Sequence, residues 1–274
     1  MATFVVFIAV PALIALVYSF TNIGVADMRH PFDVDFVAWG TFARVLTNAG
    51  FLHALATTGL FVLIGVPLTM LIGLALALAL NSGIKRLRPA YRAAFYLPVI
   101  TNVVAAAVIW QYAFTLQGPA NSLLASIGIA GPNWLGNPNM AFTTVVMLAV
   151  WRNIGTCMVL FLAGLQAISA DVYEAAAIDG ASAWRRLVSM TLPLLQPTTL
   201  LVSVLMTVSY MNIFDEPYLV TKGGPLGATK SVALWVYEQF GFGNIANAMA
   251  GAYVMLAIII VLGIVQLRML RARS

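Results

Sequence analysis

Six long, almost uncharged apolar runs dominate the chain, and they decide which solvent it can fold in. A helix needs about 20 mostly apolar residues to cross the hydrocarbon core of a bilayer. Runs of that order occupy about residues 3–20, 52–80, 90–114, 141–168, 194–214 and 245–267. Of the 274 residues, 62% are hydrophobic and 8% charged, with a mean hydropathy of +0.95. Soluble domains carry about 25% charged residues. A soluble core of this size cannot hide so much apolar surface. A water-soluble fold, a disordered chain and a nucleic-acid-binding domain are therefore excluded. The runs are continuous and not alternating, which also excludes a β-barrel. The expectation is an all-α polytopic membrane protein with six transmembrane helices, residues 1–274 forming a single transmembrane domain. No internal repeat or low-complexity linker divides it. The first run lacks a basic n-region and a clear cleavage site, so it reads as a span and not as a signal peptide. Its missing basic flank fits a natural chain that begins earlier.

Loop charge sets the expected orientation. Lys85, Arg86, Arg88 and Arg92 stand between the second and third runs, Arg185 and Arg186 between the fourth and fifth, and Arg268, Arg271 and Arg273 at the end of the sixth. The opposite loops hold Asp27, Asp33, Asp35, Asp215, Glu216 and Glu238, with fewer cations, and residues 117–139 carry no charge. Basic residues concentrate in cytoplasmic loops, which puts both termini and the 171–193 loop in the cytoplasm. An even number of spans requires the same side for both ends. The net charge of +5 thus reports orientation and not an acidic partner.

The 171–193 loop has structure of its own. Asp171 with Glu174 three residues later is a capping-box-like helix start. Good helix formers follow, and Gly180 is placed to take φ > 0 at a helix end. A second short helix can begin near Ser182 and must stop near Pro193. Helix, glycine turn, helix is the expectation, with Ala175, Ala176 and Ala177 leaving a smooth surface that another protein can cover.

Glu174-Ala175-Ala176, Gly180, Met190 and Leu192-Pro193, in that spacing, resemble the EAA loop of ABC-importer permeases. Met190 stands where the family usually has Ile, preserving apolar bulk. Phe95-Tyr-Leu-Pro98, Gly118-Pro-Ala-Asn121, Trp134-Leu135, Gly164-Leu-Gln166 and Thr221-Lys-Gly-Gly-Pro225 are similar, in the same order, to the carbohydrate-uptake branch and its first maltose-type permease subunit. The resemblance implies a permease in the bacterial cytoplasmic membrane. Its partners are a second homologous permease, a dimer of cytoplasmic ABC ATPase, an extracytoplasmic sugar-binding protein and membrane lipid, with no nucleic acid. ATP and Mg belong to the partner ATPase, and no cofactor to this chain. Glu174 then pairs with a basic residue of the ATPase, Gly180 sets the turn, Ala175 and Ala176 pack at the interface, and Asp179 and Pro193 complete the coupling element.

The chain itself offers no catalytic constellation. The nearest approach to a P-loop, Gly223 to Ser231, has Thr229 where the second glycine must precede Lys230. No nucleophile triad or HExxH string is present, and Cys157 with His30 and His53 makes a poor metal set. No metal or catalytic residue is expected.

Polar residues inside spans mark the pathway candidates, since each is expensive there. Arg152, Asn153 and Thr156 lie in the fourth run, Arg152 and Thr156 sharing a face at i,i+4. Ser209 and Tyr210 lie in the fifth run on a face with Met206 and Ile213, with Asn212 and Asp215 toward its outer end. Hydroxyls, amides and an aromatic ring suit a sugar. In maltose-type relatives these two helices line the sugar site. An arginine in the pathway also suits a phosphorylated solute such as a glycerol phosphate. The competing class is a secondary transporter or channel, which inverted repeats would favour; none is visible.

Overall fold

A computed structural model describes residues 2–30, 33–82 and 88–271. Lys85, Arg86 and Arg273, three of the cations used for orientation, lie outside the described residues. Named in chain order, the helices are α1 (Val5–Tyr18), α2 (Gly40–Thr47), α3 (Ala49–Asn81), α4 (Pro89–Ile100), α5 (Val103–Ala113), α6 (Pro119–Ser126) and α7 (Pro138–Gln166). There follow α8 (Ala170–Ile178), α9 (Ala183–Leu194), α10 (Gln196–Met211), α11 (Asp215–Thr221), α12 (Val232–Gly241) and α13 (Ile245–Met269). The fold is all-α, as expected; among the described residues the one β-bridge, Thr21 with Phe36, is isolated.

Among the described residues, α3, α7 and α13 are each long and apolar enough to cross a membrane alone. The third expected span is not one straight helix. It bends by 92° between α4 and α5, where Asn102 Oδ1 accepts from the Val104 and Ala105 amides and starts a new helix. The second helix of the 171–193 loop likewise runs straight into the fifth span, bent by 66° between α9 and α10. Counting each bent pair as one span gives five, and α1 is apolar but shorter.

Prolines shape these helices in a regular way. Three π-helical segments, Val5–Ala9, Phe61–Gly65 and Leu187–Thr191, each end two residues before a proline: Pro11, Pro67 and Pro193. Proline has no N–H for the carbonyl four residues back, and its ring crowds that carbonyl. Widening the preceding turn to five-residue bonds relieves the crowding. The Val10 amide accordingly bonds the Val5 carbonyl, and the Leu192 amide that of Leu187. Pro193 therefore does not stop α9 as the sequence suggests, and the break falls after Leu194.

Contacts divide the chain into two compact units. The first comprises Met1–Leu60, Val108–Val145 and Met211–Val261. Its packing includes Ile23, Ile245 and Ala246, backed by Tyr18, Val34 and Met249. Phe51 meets Trp235 edge to face at 4.9 Å, and the Val232 amide donates to Thr58 Oγ1 at 2.9 Å. Several of the family-like motif residues serve packing here. Asn121 Nδ2 donates to the Leu116 and Pro132 carbonyls, while its Oδ1 accepts from Trp134 Nε1 at 2.6 Å. Gln111 donates to the carbonyls of Leu219 and Val220.

The second unit comprises Phe61–Ala107, Val146–Tyr210 and Leu262–Ser274. Small residues bring its helices close, as apolar spans require when lipid supplies no hydrophobic drive between them. A Cβ on Gly73 would lie 2.6 Å from Cys157 Sγ, so this buried thiol is a packing group against α3. A Cβ on Gly164 would lie 2.8 Å from Thr198 Cγ2. Gln266 Nε2 donates to Thr207 Oγ1 at 2.7 Å, a polar tie from α13 to α10.

Candidate translocation and coupling sites

Within the second unit, α7 and α10 carry the pathway candidates. Arg152, Asn153 and Thr156 are all half-buried on α7. Asn153 uses its Nδ2 on the Ala149 carbonyl one turn back, at 2.8 Å. That leaves Oδ1 to accept from Ser209 Oγ on α10, at 3.4 Å. The structure thus brings Asn153 and Ser209 together as a weak polar pair, with Ser209 exposed in this chain.

Tyr210 sits differently. It is 1% exposed, and its hydroxyl meets Thr69 Oγ1 of α3 at 2.7 Å. Its ring packs against Gly65, whose absent side chain makes the room; a Cβ there would come 2.7 Å from Cδ1 and Cζ. Met206 and Tyr210 are buried together, as the helix period demands, but Ser209 leaves that face. The expectation that Ser209 shares the Tyr210 face is corrected, since adjacent helical residues point about 100° apart. Thr69, Tyr210's partner, is a threonine in an apolar run and gave no sequence signal beyond being polar inside a span.

Asn212 and Asp215 belong to the first unit, where both are exposed. Asp215 opens α11, a favourable place for a carboxylate at a helix N-terminus. Nearby, Phe214, Tyr218 and Tyr237 form a ring cluster with centroids 5.2–5.3 Å apart. The following loop is braced throughout: Thr221 Oγ1 and Thr229 Oγ1 are 2.6 Å apart, and Lys230 Nζ pairs with Glu238 at 2.8 Å. The segment from Gly223 to Ser231, excluded above as a P-loop, is here a turn-rich loop with positive φ at Gly223, Leu226 and Gly227, following a left-handed Lys222 at the end of α11.

The 171–193 segment is a helix–turn–helix, as its residues predict. Gly180 has φ +69°, and the Ala181 amide bonds the Ala176 carbonyl at 2.9 Å, a Schellman-type closure. The cap at the first helix differs from expectation. Ser169 and not Asp171 occupies it, Ser169 Oγ accepting from the Asp171 amide and bonding Asp171 Oδ2. Ser182 caps α9 by accepting from the Arg185 amide. Tyr173 Oη and Thr191 Oγ1, 3.1 Å apart, tie the two helices.

This geometry sorts the coupling candidates. Glu174 and Asp179 are exposed, and Gly180 has open space about it. Ala175 lies in α8. Ala176 is 1% exposed within its own chain, so it is not part of the partner-facing surface expected of it. At a helical pitch of 3.6 residues the alanines cannot all point outward. The apolar surface offered instead is Ile178, 87% exposed, and Trp184, 73% exposed. Among the described residues no three His, Cys, Asp or Glu side chains gather to hold a metal ion.

An all-α chain with membrane-length apolar helices, carrying a structured helix–turn–helix between two of them, is a multi-pass membrane protein. The chain belongs to the binding-protein-dependent transport system inner membrane components, whose family pattern matches residues 65–273. It is 35% identical over 239 residues to the trehalose/maltose transport system permease protein MalF of Thermococcus litoralis, covering 87% of this chain and 81% of that one. It is 32% identical to the lactose transport system permease protein LacF of Rhizobium radiobacter, covering 98% and 90%. The fold matches, with a TM-score of 0.80 at 20% identity, a chain of a bacterial alginate ABC transporter solved with an alginate-pentasaccharide-bound periplasmic protein. That match covers 99% of this chain and 91% of the other.

Proposed function

We propose that the chain is one permease subunit of an ATP-driven, binding-protein-dependent importer for a di- or oligosaccharide. The observation that carries this reading is the family match over residues 65–273 together with relatives named for trehalose/maltose and lactose transport. The chain works as a single permease domain, half of a pathway completed by a second homologous permease. Two ATPase subunits, with their ATP and Mg, drive it from the cytoplasm, and a sugar-binding protein delivers solute from outside. Both termini and the α8–α9 element face the cytoplasm. Arg88, Arg92, Arg185, Arg186 and Arg268 all fall on that side, as positive-inside requires.

Coupling runs through α8 and α9. Exposed Glu174 meets a basic cleft of the ATPase, and Ile178 and Trp184 supply apolar contact. The Gly180 turn and the Tyr173–Thr191 tie make the element stiff enough to pass ATPase motion on to α10. Arg152, Asn153, Thr156 and Ser209 line the solute path; Asn212 and Asp215, in the first unit, are separate candidates for solute contact. Tyr210 serves the path by holding α10 against α3. The test is the assembled complex in liposomes with its binding protein. Sugar-loaded binding protein should stimulate ATP hydrolysis, and sugar should accumulate only when ATP is present, indifferent to an ionophore. Uptake that collapses with the ionophore and ignores ATP would mean a secondary transporter instead.

A further inference from the structure

A cavity of about 400 Å³ lies within the second unit, lined by the α8–α9 element and the ends of α3 and α7. Pockets that hold small ligands run about 300–1,000 Å³. Its polar lining residues are Arg186, Asn81 and the hydrogen-bonded pair Tyr173 and Thr191. Its apolar lining residues are Leu78, one turn before the end of α3, Leu165, at the end of α7, Ala183 and Leu187. No carboxylate lines it. The Arg186 guanidinium makes no hydrogen bond or ion pair among the described residues. A half-buried cation facing a cavity without a counter-charge calls for an anion from outside the chain.

We propose that this cavity seats the headgroup phosphate of an anionic phospholipid. Arg186 is its counter-ion, the Tyr173 hydroxyl, which can accept from Thr191 Oγ1, donates to one of its oxygens, and the leucines take the start of an acyl chain. The inference rests on the cytoplasmic placement of the α8–α9 element given above. The position favours a lipid. Both α3 and α7 are membrane-length helices, and the cavity lies at their ends; with those ends on the cytoplasmic side, that is the level of the lipid headgroups. Basic pockets between spans on the cytoplasmic side bind acidic lipid headgroups. A free phosphate satisfies Arg186 equally, but it leaves the leucines uncovered. Lipid seated here bears directly on the coupling element, because Tyr173, Arg186, Leu187 and Thr191 are all part of it.

The test uses the purified importer complex, exchanged into nanodiscs of phosphatidylcholine with or without phosphatidylglycerol. Native mass spectrometry reads the lipid that stays bound. Phosphatidylglycerol should be retained over phosphatidylcholine, and Arg186→Gln should lower its retention about five-fold. Leu165→Trp, which adds bulk at an apolar lining residue and spares the charge, should lower retention too. Arg185→Gln, an exposed neighbour outside the cavity, should leave retention unchanged. Equal retention by wild type and Arg186→Gln would overturn the proposal. So would displacement by millimolar inorganic phosphate with Leu165→Trp unaffected, which assigns the site to free phosphate. Cross-linking of Asn81→Cys to the ATPase in lipid-replete complex would assign it to protein. Labelling of Ser182→Cys by an impermeant thiol reagent separates failure of the orientation from failure of the site. Reaction in inverted vesicles alone supports the placement, and reaction in intact cells overturns it whatever the lipid result.

Discussion

Replacing Gly65 with alanine asks whether Tyr210 is a packing residue or a pathway residue. In an ordinary helical position the change would stabilise by about 1 kcal/mol, because alanine loses less backbone freedom. At Gly65 the added Cβ would come 2.7 Å from two carbons of the Tyr210 ring, and Tyr210 is 1% exposed with no room to retreat. Overpacking of this kind costs about 1–3 kcal/mol. Displacing the ring also strains the Tyr210–Thr69 hydrogen bond of 2.7 Å, worth about 0.5–1.5 kcal/mol. Set against the helix gain, the net loss is about 2 kcal/mol, a fall of roughly 4–8 °C in unfolding midpoint. Cys157 is this chain's single cysteine and is buried. A thiol-reactive dye on heated complex, with the subunits then separated on a gel, reads the unfolding of this chain alone. Gly59→Ala, six residues earlier on the same helix with nothing within 4 Å of the new Cβ, should cause no loss. A Gly65→Ala midpoint equal to or above wild type would refute the packing argument and return Tyr210 to the pathway.

Other outcomes follow from the same geometry. Glu174→Lys sets like charges against each other in the ATPase cleft, so uptake and ATPase co-purification should both fall at least about ten-fold; normal values would remove the docking role. Arg152→Ala should change substrate affinity or ATPase stimulation while the complex still assembles, and loss of assembly would make it a structural residue. Ser209→Ala gives up a 3.4 Å bond at an exposed site, so stability should move by less than about 0.5 kcal/mol while the KM of uptake rises; an unchanged KM would remove Ser209 from the path. Lys230→Met breaks a partly exposed pair with Glu238, and should lower the unfolding midpoint by at most about 4 °C; a larger drop would mean that the Gly223–Ser231 loop depends on this pair.

The spans were legible because lipid leaves a chain few options. About 20 apolar residues are required, and α3, α7 and α13 follow their expected limits within three residues. The Gly180 turn was legible because φ > 0 selects glycine at a helix end. The bends were not. A proline announces trouble for the helix but not its resolution. A widened turn absorbs Pro11, Pro67 and Pro193, whereas Asn102 starts a fresh helix after Pro98. Facing was also hidden. In a soluble helix the polar side shows which way a residue points, but Met206, Ser209 and Tyr210 sit in a segment that is apolar all round. The burial of Tyr210 and Ala176 is decided by Gly65 and by the turn geometry, which periodicity does not encode. Ser169 is a good cap by residue type, but Asp171 two residues later is an equally good one, so residue type alone does not choose between them.

The central claim is that this chain is one permease of an ATP-driven importer. The most direct measurement is its isolation from native membranes in gentle detergent, with mass spectrometry of what accompanies it. The account predicts a second permease with its own EAA-type loop, a P-loop ATPase and, with sugar present, an extracytoplasmic sugar-binding protein. A chain recovered alone or only with itself, still moving solute in liposomes without ATP, would contradict it.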